Sequence, residues 1–236
     1  EHYGKLYLIP TRLGDNPPLE VLPISVKKVI EMIDDYIVEN EKSARRFIKL
    51  INSRKQQSSL SFKVLNKYTQ PEEIQHFLDD CKTGKSMGLL SEAGCPGIAD
   101  PGADIVKMAH EQHIQVVPLV GPSSIVLALM SSGMNGQSFT FNGYIPIDKS
   151  ERKTTLKRLE RLSFDQNQTQ LFIETPYRNN KILEDICSTL HPNTRVCIAC
   201  DITLPTEYIK TMTVSEWKNV NVDLHKRPSI FLIHKD

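Results

Sequence analysis

LLSEAGCPGIADPGADIV, residues 89–106, joins an apolar run to a loop and then to the start of a helix. The apolar residues 87–90 are too few for a helix and give way to turn residues, which predicts the end of a buried strand. The loop over 91–102 holds three glycines and two prolines, more than a short strand-to-helix connection needs. Glycine lets backbone approach a bound molecule closely, and proline fixes the loop around it.

Outward from this loop the first half alternates strand and helix. Strands are predicted over 5–10, 36–39, 61–67, 87–90 and 116–120. Helices are predicted over 24–36, 41–52, 71–84 and 104–111, with Val29, Ile30 and Ile33 and then Ala44, Phe47, Ile48 and Ile51 at helical spacing. Thr69 ahead of Pro71 marks a helix start and Gly84 a stop. Five strands separated by helices predict a doubly wound, mainly parallel sheet. A small-residue helix over 125–132 opens the second half. Strands follow over 138–145, 169–174, 195–202, 208–214 and 230–234, with helices over 149–162 and 179–190. Two strands that meet near residue 205 without a helix between them predict a mixed sheet. The fold class is thus α/β, with an N-terminal α/β domain over 1–120 and a C-terminal α/β domain over 121–236.

Composition excludes several classes. With 39% hydrophobic and 24% charged residues the chain is neither disordered nor fibrous. A net charge of +1 gives no global attraction to polyanions, so nucleic acid would have to be met by local patches. No run of about 18 uncharged apolar residues occurs and residues 1–10 lack a signal-peptide layout, which predicts a cytoplasmic protein with no membrane partner. Five cysteines without framework spacing fit reduced thiols. Cys197 and Cys200 would point to opposite faces of one strand, and neither a second C-x-x-C nor an H-E-x-x-H is present, so no metal is expected.

In open parallel sheets, ligands collect outside the carboxyl ends of the strands. There the sequence places Pro10 to Asn16, Glu39-Asn40, Ser91 to Gly102 and Gly121 to Ser124. Taken singly, each is also ordinary turn composition. Neither G-x-x-x-x-G-K-[ST] nor G-x-G-x-x-G occurs, which argues against nucleoside triphosphates and conventional dinucleotides.

These loops resemble those of a known family. Ser91-Glu92-Ala93-Gly94-Cys95-Pro96-Gly97-Ile98-Ala99-Asp100-Pro101-Gly102 is similar to the Ser-Asp-Ala-Gly-Thr-Pro-x-Ile-Ser-Asp-Pro-Gly signature of the tetrapyrrole methylase superfamily. Val117-Pro118-Leu119-Val120-Gly121-Pro122-Ser123-Ser124 and Phe172-Ile173-Glu174-Thr175-Pro176-Tyr177-Arg178 resemble motifs of its branch of small-subunit ribosomal RNA cytidine 2′-O-methyltransferases. The resemblance implies S-adenosylmethionine (SAM) held in a cleft between two domains, in a homodimer. It also implies cofactor contacts at Pro10, Ser91, Glu92, Ala93, Gly94, Ile98, Ser123 and Ser124, and from the second half at Phe172, Ile202, Pro228 and Ser229.

Methylating a ribose hydroxyl requires removal of its proton, for which a carboxylate suffices. Glu39, Glu92 and Glu174 are the candidates, and Glu39 and Glu174 are the expected catalytic residues. A capping or loop role is the alternative for Glu92 and Glu174. The branch's Ala-Glu-Asp-Thr-Arg reads Val38-Glu39-Asn40-Glu41-Lys42 here, and its late Arg-Glu-Leu-Thr-Lys reads Cys200-Asp201-Ile202-Thr203-Leu204. Basic residues that could meet rRNA or a ribosomal subunit are Lys42, Arg45, Arg46 and Lys49, with Arg54 and Lys55 beyond. A second set is Lys149, Arg152, Lys153, Lys157, Arg158 and Arg161, which solvated helix faces would also explain. Two alternatives remain at this level: a methylase of tetrapyrroles or another small acceptor, and a noncatalytic SAM-binding protein.

Overall fold

The computed structural model describes residues 2–236, which divide into two compact units at Ser123 and Ser124. The first unit runs β1 (Leu6–Ile9), α1 (Ile24–Met32), β2 (Asp35–Val38), α2 (Glu41–Ile51), β3 (Ser61–Val64), α3 (Pro71–Ile74), α4 (Asp79–Lys82), β4 (Met87–Leu90), α5 (Gly102–Glu111) and β5 (Val116–Pro118). Its five strands are all parallel, in the order β3-β2-β4-β1-β5. Strands buried on both faces read as continuous apolar runs, and β4 is buried at every residue.

One face of this sheet carries a core of Val26, Val29 and Ile30 from α1 with Ala44, Phe47 and Ile48 from α2. The opposite core joins Leu78 and Cys81 to Ile105 and Ala109 of α5. β1 therefore leads to a helix on one face and the adjacent β4 to a helix on the other. Divergence of neighbouring loops in this way opens a crevice at the carboxyl edge.

The second unit runs α6 (Ser124–Ser132), β6 (Phe139–Tyr144), α7 (Lys149–Asp165), β7 (Thr169–Ile173), α8 (Asn179–Thr189), β8 (Arg195–Cys200), β9 (Tyr208–Thr213), α9 (Val214–Trp217) and β10 (Ser229–His234). Its sheet has the order β6-β7-β10-β8-β9. The β6–β7 pair is parallel and the other three pairs are antiparallel, a mixed sheet as predicted. Cys197 and Cys200 are free and buried on β8. Cys200 lies in the core with α7 and α8 residues, whereas Cys197 is in register with Thr211, whose hydroxyl bonds Ser132 of α6.

Three elements differ from expectation. The helix predicted over 71–84 is two short helices. Its cap is Gln70 in a capping box with Glu73, not Thr69. Backbone bonds between the two pieces run three residues back, as in Phe77 N–H to Ile74 and Asp79 N–H to His76. That tighter winding turns both Phe77 and Leu78 into the core. The first helix stops at Met32, because Ile33 is extended (φ −115°, ψ 148°) and reaches the core as the lead into β2. Arg152, expected on a basic surface, is 4% exposed inside the second unit.

Candidate active site

The carboxyl edge of the first sheet brings together the loops after β1, β4 and β5. Thr11 N–H donates to the carbonyl of Gly94 at 3.0 Å, and Thr11 Oγ1 lies 3.2 Å from Ser91 Oγ. The Ser91 hydroxyl also donates to the Gly94 carbonyl. Thr11 and Ser91 are both buried, so these bonds satisfy groups that water cannot reach. Cys95 Sγ sits 3.5 Å from the Pro122 carbonyl, tying the β4 loop to the β5 loop.

Two glycines set this spacing. Gly94 has φ +69°, and a Cβ there would stand 3.1 Å from the Pro122 carbonyl. A Cβ on Gly121 would overlap Pro10, at 2.2 Å from its Cγ. In the β4 loop, Asp100 Oδ1 accepts from Gly97 N at 2.6 Å and Gly102 N at 2.9 Å, folding residues 97–102 onto the start of α5. Ile98 is left 54% exposed on the rim. In the β1 loop, Asn16 is buried, and neither atom of its side-chain amide has a partner among the described residues.

Beside these loops lies a cavity of about 280 Å³, lined by residues 11–15, 43, 44, 46, 47 and 90–93. Ser43 on the first turn of α2 donates to Glu92, at 2.8 Å to one carboxylate oxygen. Asn40 caps α2 by accepting from Ser43 N at 2.9 Å. Glu39, immediately after β2, has its carboxyl pKa raised, first by burial and then by the negative charges of Asp100 and Glu92. A carboxyl held above its ordinary range by burial and like charge, at a loop-lined edge, is the type of group that active sites use for proton transfer.

Glu174 has a different setting. Its side chain is 1% exposed and ion-paired to Arg152, which also lies 3.3 Å from Asp185. Arg178 stands 3.8 Å from the other Glu174 oxygen, which accepts from Thr175 N at 2.8 Å. Phe172 is fully buried and stacks on Phe231, with ring centroids 5.9 Å apart. Ser229 is buried and donates to the Arg227 carbonyl at 3.0 Å, whereas Pro228 is exposed. Ile202 sits in a turn between Asp201 and Thr203, both at positive φ. Thus Pro10, Ser91, Glu92, Ala93, Gly94, Ile98 and Ser123 lie on one edge of the first unit, with Ser124 opening the second. Phe172, Glu174, Ile202, Pro228 and Ser229 belong to the second unit alone.

The sequence placed Thr11 and Arg12 only within the Pro10 to Asn16 loop, without singling them out, and left Ser43 unmarked. Thr11 had a signal, as the residue following a proline at a strand's carboxyl end; Ser43 had only its place in the first turn of α2. Among the described residues no cluster of His, Cys, Asp or Glu could hold a metal ion, and no helix is long and apolar enough to cross a membrane.

An open α/β edge with glycine-spaced loops, a capped helix and a raised carboxyl is the setting in which α/β folds bind small molecules. The chain matches the family described as Tetrapyrrole (Corrin/Porphyrin) Methylases over residues 19–218, and it belongs to that family. It is similar to the Ribosomal RNA small subunit methyltransferase I of Vibrio cholerae, at 28% identity over 97% of this chain and 76% of that protein. To the protein of the same name from Halalkalibacterium halodurans it is 30% identical, over 90% and 69%. Among solved structures, the methyltransferase CobJ has a TM-score of 0.63 at 14% identity, over 98% of this chain and 94% of that one. The cobalt precorrin-4 methyltransferase CbiF has a TM-score of 0.60 at 15% identity, again over 98% and 94%. The chain is a methyltransferase, and its methyl donor is SAM. The observed loops fit such a donor: glycine lets them meet closely, since a Cβ on Gly121 would overlap Pro10 and one on Gly94 would crowd the Pro122 carbonyl, and the buried Asn16 amide beside them has no partner among the described residues.

Proposed function

We propose that this methyltransferase acts on a ribose 2′-hydroxyl of small-subunit ribosomal RNA. The observation that carries the proposal is Glu39, a carboxyl of raised pKa close enough to Glu92 to feel its charge, where Glu92 lines a cavity that also holds two arginines. The relatives named Ribosomal RNA small subunit methyltransferase I supply the acceptor class. SAM, when bound, supplies a methyl group on a cationic sulfonium, so alignment and exclusion of water suffice for much of the catalysis. Pro10, residues 91–94, Ile98 and Ser123, on the loops of the first unit, are assigned to the cofactor. Glu39 takes the proton of the attacking hydroxyl as the oxygen–carbon bond forms. Burial raises its basicity above that of a free carboxylate, which favours this transfer.

Glu174 is assigned a structural role, because two arginines and a backbone N–H already engage its carboxylate. A cytoplasmic homodimer accompanies the proposal; Met130, Tyr144 and Ile147, each more than 60% exposed, offer apolar surface that self-association would cover.

Calorimetric titration with S-adenosylhomocysteine, on the unmutated chain and on Gly94→Trp, tests the cofactor site. Binding is expected and is expected to be lost in the variant, since even a Cβ there meets the Pro122 carbonyl. Transfer of labelled methyl from SAM to small ribosomal subunits tests the acceptor. Label arriving in a tetrapyrrole but not in rRNA would reassign the substrate.

A further inference from the structure

We propose that Arg12 and Arg46 form a two-guanidinium clamp for one backbone phosphate of the RNA acceptor, a role that rests on the ribose-methylating assignment above. The two side chains come from different elements, the loop after β1 and the exposed side of α2, and both line the 280 Å³ cavity. Arg45, one residue earlier on α2, is already engaged. It pairs with Glu41 at 2.8 Å, donates to the Gln57 carbonyl and lies 4.7 Å over the Phe62 ring. Arg46 has no hydrogen bond or ion pair among the described residues and is exposed toward the cavity it lines.

Arg12 is held in place. Its side chain is 17% exposed, with Nη1 donating to the Asn16 carbonyl at 2.7 Å. Its nearest carboxylate, Asp15, stands 3.6 Å away and is itself fully exposed, so it neutralises Arg12 weakly. A mostly buried guanidinium with so little compensation favours an anion, and its fixed fork suits the two oxygens of a phosphate. Asp15 and Glu92 line the same cavity, and the Ser43 hydroxyl donates to the Glu92 carboxylate, which holds that side chain on the first turn of α2. The cavity thus offers cationic donors beside Glu92, whose charge Glu39 feels. A nucleotide presents that same juxtaposition of phosphate and ribose hydroxyl.

The test is a salt titration of binding to deproteinised small-subunit ribosomal RNA for the unmutated chain, Arg12→Gln, Arg46→Gln and Arg12→Lys. A phosphate contact in single-stranded RNA contributes about 0.7 to the slope of log affinity against log salt. Each glutamine variant is expected to lose affinity several-fold and about that much slope, with S-adenosylhomocysteine binding held within about twofold. Arg12→Lys is expected to retain the slope while losing affinity, because charge remains and the fork is gone. A drop for Arg46→Gln without one for Arg12→Gln would reduce the contact to the solvent face of α2 and overturn the clamp. Normal RNA methylation with unchanged slopes in all variants would overturn the clamp and leave the ribose-methylating assignment standing. Failure of the unmutated chain to bind or methylate RNA would overturn both.

Discussion

At Glu39, burial together with the charges of Asp100 and Glu92 raises the carboxyl's pKa, so the fold holds its proton more tightly than the unfolded chain does. The sign of the stability effect follows. Because the folded state binds more protons, stability falls as pH rises from the unfolded pKa through the folded one, and at neutral pH the ionised group opposes folding. Glu39→Gln is therefore expected to melt no lower than the unmutated chain at pH 7, while its kcat falls by about 10²–10⁴. In the unmutated chain, kcat/KM should rise with pH through a value above the ordinary glutamate range. A variant that melts much lower, with activity lost in proportion to unfolding, would make Glu39 a structural carboxylate. The sequence offered a capping or loop role as the alternative for Glu174 but could not decide it, since Glu39 and Glu174 both follow the apolar run of a strand. The folded surroundings separate them: burial, with the charges of Asp100 and Glu92, raises one, and Arg152 and Arg178 engage the other.

Among the elements, α7 shows what was legible and what was not. Its buried residues are Arg152, Leu156, Leu159 and Ser163, spaced as one face of a helix. Arg152 falls on that face by spacing, yet its charge assigned it to the surface with its basic neighbours. A buried guanidinium needs carboxylates from elsewhere in the chain, here Glu174 and Asp185, and long-range pairing leaves no local trace. Removing one partner from such a network leaves the others charged and dry. Arg152→Met is expected to destabilise the protein by about 3–5 kcal/mol, read as a fall in the urea midpoint, with Arg152→Met/Glu174→Gln recovering part of the loss. An Arg152→Met midpoint close to that of the unmutated protein would mean that water reaches Glu174 freely. The β elements were more legible, because alternation with helices and apolar runs fixes a parallel sheet whatever the partners. The break between α3 and α4 was not, since Phe77 and Leu78 are adjacent apolar residues that a helix would have sent to different faces.

Across the whole molecule, the two units divide at Ser123 and Ser124 and have separate cores. The first unit is built from strands of three or four residues, and part of its sheet cover is the pair of four-residue helices α3 and α4. The second has strands of five or six residues and the 17-residue helix α7. Short elements leave more of their backbone bonding near solvent, and units of that type open at lower free energy. The chain's one tryptophan, Trp217, is buried in the second unit and donates to the Val196 carbonyl at 2.9 Å, so its fluorescence reports that unit alone. Far-ultraviolet circular dichroism reports both. In urea the dichroism signal is expected to begin its transition at lower concentration than tryptophan fluorescence, as two-state unfolding forbids. S-adenosylhomocysteine, bound through the loops of the first unit, should move the early dichroism transition upward by mass action. Coincident transitions by the two probes, with and without the ligand, would mean that the units unfold as one and that each stabilises the other.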